Sequence, residues 1–237
     1  IRRRLAALAD PGQEQKHQAI LAFLETQLGQ QSLQRGEHAA AVSRFESAVD
    51  LDARAVPAYV SLGDMRREEG RVDEALATWE RLIAIAPERA YLVFDRVEAV
   101  SREQGDAERF PALCRRLIAA NPVDWRARLA LGRHLAREGR PSEALDLLFD
   151  SLVHNPHAME IHQVVWRTLA AVTFDAARVR RYMELTREAV FYLDPHVCMR
   201  CRYRSTELLW QCPQCHEWNT FVEERIAAAE EGKDDDA

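Results

Sequence analysis

The chain has 237 residues, 47% hydrophobic and 30% charged, and is long enough to bury a core in one elongated array or in two modules. Its formal net charge of −6 at pH 7 and pI near 5.8 exclude a general binder of phosphate backbones, which carries a strong basic excess. Abundant alanine, leucine, arginine and glutamate against nine glycines and nine prolines favour helix over sheet, and no apolar run reaches the roughly eighteen residues that span a membrane.

The chain starts at Ile1 rather than at a methionine, which reads as processing or truncation. Residues 1–21 are expected to be the remnant of an earlier repeat and the start of a helix. From residue 22 a period emerges. "LGQQSLQRGEHAAAVSRFESAV" (28–49), "LGDMRREEGRVDEALATWERLI" (62–83) and "LGRHLAREGRPSEALDLLFDSL" (131–152) align without gaps. Each opens on Leu-Gly, with a second glycine seven residues on: Gly29 and Gly36, Gly63 and Gly70, Gly132 and Gly139. An alanine then follows (Ala41, Ala75, Ala144), and after it a large apolar residue (Phe45, Trp79, Leu148). The step from Gly29 to Gly63 is 34 residues and that from Gly63 to Gly132 is 69, two repeats plus one residue. Residues 90–122 hold the intervening copy, in which Leu-Gly reads as Arg96-Val97, and Pro87, Pro122 and Pro156 close successive units.

Each unit reads as two antiparallel helices. The first glycine lets helices approach closely, the second ends the first helix in a left-handed conformation, and proline closes the second helix. This is the tetratricopeptide pattern, and such pairs bury their apolar faces only by stacking into a superhelix. Two more helical stretches follow, 157–172 and 175–193. The second has Asp175 as its N-cap, carries Val190 and Leu193, and is broken by Asp194-Pro195. The fold class is therefore all-α, a repeat superhelix over 22–193 with a small module at 194–222. The charged residues 223–237 are expected to be a disordered tail.

Four of the five cysteines lie in "CMRCRYRSTELLWQCPQC" (198–215). Cys198-x2-Cys201 and Cys212-x2-Cys215 read as two knuckles that complete a tetrahedral shell of four thiolates around one metal ion, with metal–sulfur bonds of about 2.3 Å for zinc. So short a stretch builds little core, so the metal supplies much of its folding energy. A single redox pair would leave the second pair idle, and two disulfides fit a reducing compartment badly. His196 and His216 flank the knuckles and read as surface or neighbouring residues. Cys114 reads as a buried apolar residue of a repeat helix.

Repeats followed by C-x2-C-x-Y and then L-x-W-x-C-P-x-C-x-x-W resemble the lipopolysaccharide assembly protein B family. The residues that carry the resemblance are Cys198, Cys201, Tyr203, Leu208, Trp210, Cys212, Pro213, Cys215 and Trp218. It implies a rubredoxin-like metal module, an amino-terminal membrane anchor that this chain lacks, and repeats on the cytoplasmic face of the bacterial inner membrane. It also implies an adaptor that brings the deacetylase committing precursors to lipid A to the protease FtsH. The implied partners are FtsH, that deacetylase and other lipopolysaccharide assembly proteins, with a homo-oligomer left open. Rubredoxin-type knuckles place glycine after the first CxxC. Arg202 stands there instead, which puts the geometry of that knuckle in question and weakens an electron-transfer reading, so zinc is preferred to iron.

Three functions compete. In a non-catalytic adaptor, the first helices line a groove. The repeat register places Asp64, Arg67, Glu98, Arg102, Arg133 and Arg137 on that face, a mixed-charge surface suited to a protein segment, although each also reads as a solvated charge. A rubredoxin-like redox protein with a helical docking domain is the alternative, distinguished by the colour of an iron–thiolate site. A nucleic-acid binder would use Arg200, Arg202 and Arg204, but the acidity of the chain opposes it. No Gly-rich phosphate loop, GxSxG or HExxH is present, and a non-enzyme is expected.

Overall fold

The computed structural model describes residues 11–172, 175–187, 189 and 196–223, and falls into two compact units, residues 1–134 and 135–237. The first holds helices α1 (Pro11–Gln34), α2 (His38–Leu51), α3 (Val56–Glu68) and α4 (Val72–Ile85). A 3-10 segment (Pro87–Val93), α5 (Phe94–Glu103), α6 (Arg109–Ala120) and most of α7 (Trp125–Arg137) follow. The second holds α8 (Pro141–His154), α9 (Met159–Ala170), α10 (Ala176–Thr186) and three short strands. No described helix is long and apolar enough to cross a membrane. Residues 1–10, Val190, Leu193, Asp194-Pro195 and residues 224–237 lie outside the described residues.

The glycine pattern builds these turns. Gly36, Gly70, Gly105 and Gly139 have φ of 75, 78, 72 and 74°. At Gly70 the amide donates to Arg67 O (2.9 Å) and the next amide to Arg66 O (2.8 Å), the same pair of bonds that closes the other three turns. Those bonds satisfy the last carbonyls of each first helix, and only a residue free of Cβ strain adopts that φ cheaply. Gly63 does the other job. A Cβ there would lie 2.1 Å from Trp79 Nε1, so the indole packs directly on the α3 backbone. Phe45 covers Gly29 in the same way, and both rings, like Ala41 and Ala75, are fully buried. Each such aromatic contributes about 1.5–3 kcal/mol by burial.

One register expectation is corrected. Counting back seven residues from Gly105 reaches Glu98, not Val97. Val97 and Glu98 are buried while Arg96 is half-exposed, so the Leu-Gly equivalent is Val97-Glu98 rather than Arg96-Val97. The extra residue lies between Pro87 and Glu98, in the stretch where the 3-10 segment replaces the first turns of an α-helix. Glu98 thus takes a glycine position, and Cys114 occupies the place that Phe45 and Trp79 hold in the earlier units. The Glu98 carboxylate is satisfied by His134 Nδ1 at 2.6 Å.

In the second unit Ile161, Val164 and Val165 of α9 are buried as expected, whereas Trp166 is half-exposed. Asp175 caps α10 as predicted, its Oδ1 accepting from the Ala177 amide at 2.9 Å. No side chain of α10 is fully buried. It is held by a polar chain in which Trp166 Nε1 donates to the Tyr182 hydroxyl (2.7 Å). That hydroxyl bonds His162 Nδ1 (2.7 Å), and His162 Nε2 bonds the Pro156 carbonyl (2.7 Å). His162 is buried, and desolvation lowers its pKa.

Candidate metal centre

Strands β1 (His196–Cys198), β2 (Arg204–Ser205) and β3 (Phe221–Glu223) form an antiparallel sheet in the order β2-β1-β3. The two knuckles have the same backbone plan. In the first, the Cys198 amide donates to Tyr203 O (2.8 Å) and the Arg202 amide to Cys198 O (2.9 Å). In the second, the Cys212 amide donates to Glu217 O (2.9 Å) and the His216 amide to Cys212 O (2.9 Å). Each is flanked by an equivalent bridge, Val197 with Arg204 and Gln211 with Trp218. The residue after each CxxC is left-handed, Arg202 at φ 63° and His216 at φ 58°. Arg202 therefore adopts the conformation that glycine would supply, and the geometry questioned from the sequence is intact. His216 serves the second knuckle in the same backbone role.

These turns converge the four sulfurs to within 4.8 Å of one another. Cys198 Sγ lies 3.7 Å from Cys215 Sγ, and Cys201 Sγ 3.5 Å from Cys212 Sγ. A tetrahedral shell with bonds of about 2.3 Å has sulfur–sulfur edges of about 3.8 Å, so the set fits one zinc- or iron-sized ion. Cys198 and Cys212 are fully buried, while Cys201 and Cys215 are partly exposed. Burial opposes ionisation of Cys198, but the Thr220 hydroxyl at 3.2 Å and nearby amides overcome it and bring the thiol to about 6. The amide of Tyr203 favours the Cys201 thiolate, yet desolvation and the neighbouring sulfurs push that thiol up to about 12. Four clustered thiols resist joint ionisation unless a cation neutralises them. The four cysteines form a metal-binding site, and among the described residues neither His196 nor His216 belongs to it.

Thr220 and Phe221 were missed as parts of the site. Phe221 is buried against Cys198 and Cys212, with Leu208 and Leu209 packed beside it and the Tyr203 ring edge-on at 6.3 Å. Short polar and aromatic residues beyond the last cysteine carry no spacing signal of their own. Cys114 is buried in α6, and burial raises its pKa, as expected for an inert thiol.

The charges expected on a groove are largely engaged with one another within the first unit. Asp64 of α3 takes a bidentate pair from Arg96 of α5 (2.5 and 2.7 Å), Arg67 reaches Glu103 (2.6 Å), and Arg133 of α7 lies 3.8 Å from Asp95. These pairs tie successive first helices together, at about 0–1 kcal/mol each where solvated. Glu98 leaves the expected set, buried by the corrected register. Arg102 and Arg137 are exposed.

Residues 26–90 and 111–157 match the tetratricopeptide repeat family, and residues 196–223 match the family described as the rubredoxin metal binding domain of the lipopolysaccharide assembly protein B type. Lipopolysaccharide assembly protein B of Haemophilus influenzae is 20% identical over 183 residues, covering 76% of this chain and 46% of that protein. DNA repair protein RadA of Aquifex aeolicus is 55% identical over 29 residues, which is 12% of this chain and 6% of that one. Among solved structures, the pilF protein of Pseudomonas aeruginosa is similar at 19% identity and a TM-score of 0.48, covering 75% of this chain and 80% of that chain. The chain spans less than half the length of the curated relatives it matches.

Proposed function

We propose that this chain, which belongs to the lipopolysaccharide assembly protein B family, is a non-catalytic adaptor in lipopolysaccharide assembly. In this reading it brings the lipid A-committing deacetylase to the membrane protease FtsH at the cytoplasmic face of the bacterial inner membrane. One observation carries it: a single chain joins helical repeats, a protein-docking architecture, to a four-thiolate module that has the wiring of a structural metal site. The test is capture. The complete protein, tagged and crosslinked in cells, retains the deacetylase and FtsH, and its depletion lengthens the lifetime of the deacetylase. An unchanged lifetime refutes the reading.

The metal assigned is one zinc ion, held by Cys198, Cys201, Cys212 and Cys215. An adaptor needs a redox-inert staple, and a closed four-sulfur shell without an open position supplies it. When bound, the ion neutralises the thiolates and lends its binding energy to folding. A rubredoxin-like electron carrier gains support from one specific feature. The backbone amides of Arg200 and Cys201 face the Cys198 sulfur, that of Tyr203 faces Cys201 and that of Glu217 faces Cys215, the amide-to-sulfur wiring that helps set iron potentials. Elemental analysis with a visible spectrum decides between them, since iron–thiolate material is red and the zinc form colourless.

A further inference from the structure

An open cavity of about 430 Å3 lies among α2, α3 and α4, on a different face of these helices from the ion pairs that link α3 to α5. Glu46 and Asp50 of α2, Tyr59 and Arg66 of α3, and Thr78 and Arg81 of α4 line it. Its wall is rich in donors that lack acceptors. Tyr59 is 1% exposed, and within the described residues its hydroxyl proton has no acceptor, because the Arg81 guanidinium beside it can only donate. Arg66 is clamped through its ends, Nη1 donating to Thr78 Oγ1 (2.6 Å) and Nη2 to Glu46 Oε1 (3.3 Å), while its buried Nε–H has no partner. Thr78 Oγ1 donates its own proton to Glu74 O (2.6 Å), which leaves it an acceptor for Arg66. The exposed Arg81 guanidinium stands 5.5 Å over the Tyr59 ring and forms no ion pair among the described residues.

A phenol O–H, an Nε–H and a guanidinium outside any ion pair among the described residues, converging on one cavity, call for an anionic acceptor with several lone pairs. Glu46 and Asp50 on the same wall disfavour a doubly charged phosphate more than a singly charged carboxylate. We propose that this cavity is a carboxylate-recognition site, which seats an aspartate or glutamate side chain of a protein segment docked across α2, α3 and α4. The proposal deepens the adaptor reading and rests on it for the occupant being a protein. A bound carboxylate accepts from Tyr59 and Arg66 Nε after the exposed Arg81 side chain rotates to join it. The hydroxyl proton left without an acceptor lowers the stability of the free protein and becomes useful only when an acceptor arrives.

The test is a titration of the 15N-labelled full chain with N-acetyl-glutamate N-methylamide, its glutamine counterpart and inorganic phosphate. It follows the Arg66 Nε–H signal, which is assigned by its loss in Arg66→Lys. The glutamate derivative shifts this signal saturably, and the other two do not. Tyr59→Phe and Arg81→Gln each weaken the apparent Kd about tenfold, and Tyr59→Phe melts at or above the parent temperature. An unmoved Arg66 signal, an equal response to the glutamine derivative, a stronger response to phosphate, or unweakened binding in both variants overturns the proposal. That failure would leave the adaptor reading standing, because capture of the deacetylase and FtsH tests it separately.

Discussion

Arg202 occupies the left-handed region with an ordinary side chain, a conformation that costs an L-residue about 1–2 kcal/mol and glycine almost nothing. The surrounding bonds, Cys198 amide to Tyr203 O and Arg202 amide to Cys198 O, over-determine the turn and hold it there. Arg202→Gly is therefore expected to raise the stability of the module by about 1 kcal/mol with unchanged metal stoichiometry, as read by denaturant unfolding of the metal-loaded protein. The departure from glycine was visible in the sequence, but its consequence was misjudged because residue type reports preference, whereas hydrogen bonding fixes the backbone. Tyr59 and Arg66 are the opposite case. Their orphaned donors depend on how α2 and α4 close around α3, and no spacing encodes that.

At the scale of elements, α10 is the weakly packed helix of the second unit, fastened by its Asp175 cap, by ion pairs and by the Trp166–Tyr182–His162 chain. Burial holds His162 below its ordinary value of 6.5, so the unfolded chain binds a proton at His162 more readily than the folded one. The stability tied to neutral His162 is thus fully present above about pH 6.5 and is lost as pH falls below it. Urea midpoints of the second unit are expected to drop between pH 7.5 and 5.5, and His162→Gln to reduce that drop. The cysteine module depends instead on its metal. Cys212→Ser removes one of four ligands, so metal content falls from one per chain to near zero, and its strands lose the slow hydrogen exchange expected of the loaded module. Parent-like metal content and exchange would refute four-sulfur ligation. Helix type, turn glycines and the four ligands were legible because each depends on local chemistry repeated at a fixed spacing. The register of α5 was not, since a single extra residue between Pro87 and Glu98 displaces every later position, and only burial reveals where it was absorbed.

For the molecule as a whole, the ion pairs Asp64–Arg96, Arg67–Glu103 and Asp95–Arg133 consume much of the charge that the sequence offered to a partner. Arg133 keeps a loose contact and 40% side-chain exposure, and Arg137 on the same helix is exposed. Reversing both to glutamate is expected to reduce partner capture severalfold, chiefly by slowing association, without lowering the melting temperature. Unchanged capture would move the docking surface off α7. The matched wiring of the two knuckles carries a separate consequence. Because the four-sulfur site is built from two matching halves, each defined by amide-to-carbonyl bonds rather than by the side chains at its tip, the exposed side chains of Met199, Pro213 and Gln214 are released from shaping it, whereas Arg200 pairs with Glu217 beyond the second knuckle (3.0 Å). The outward face of the module can therefore vary residue by residue while the bonds that shape the four-sulfur pocket stay constant.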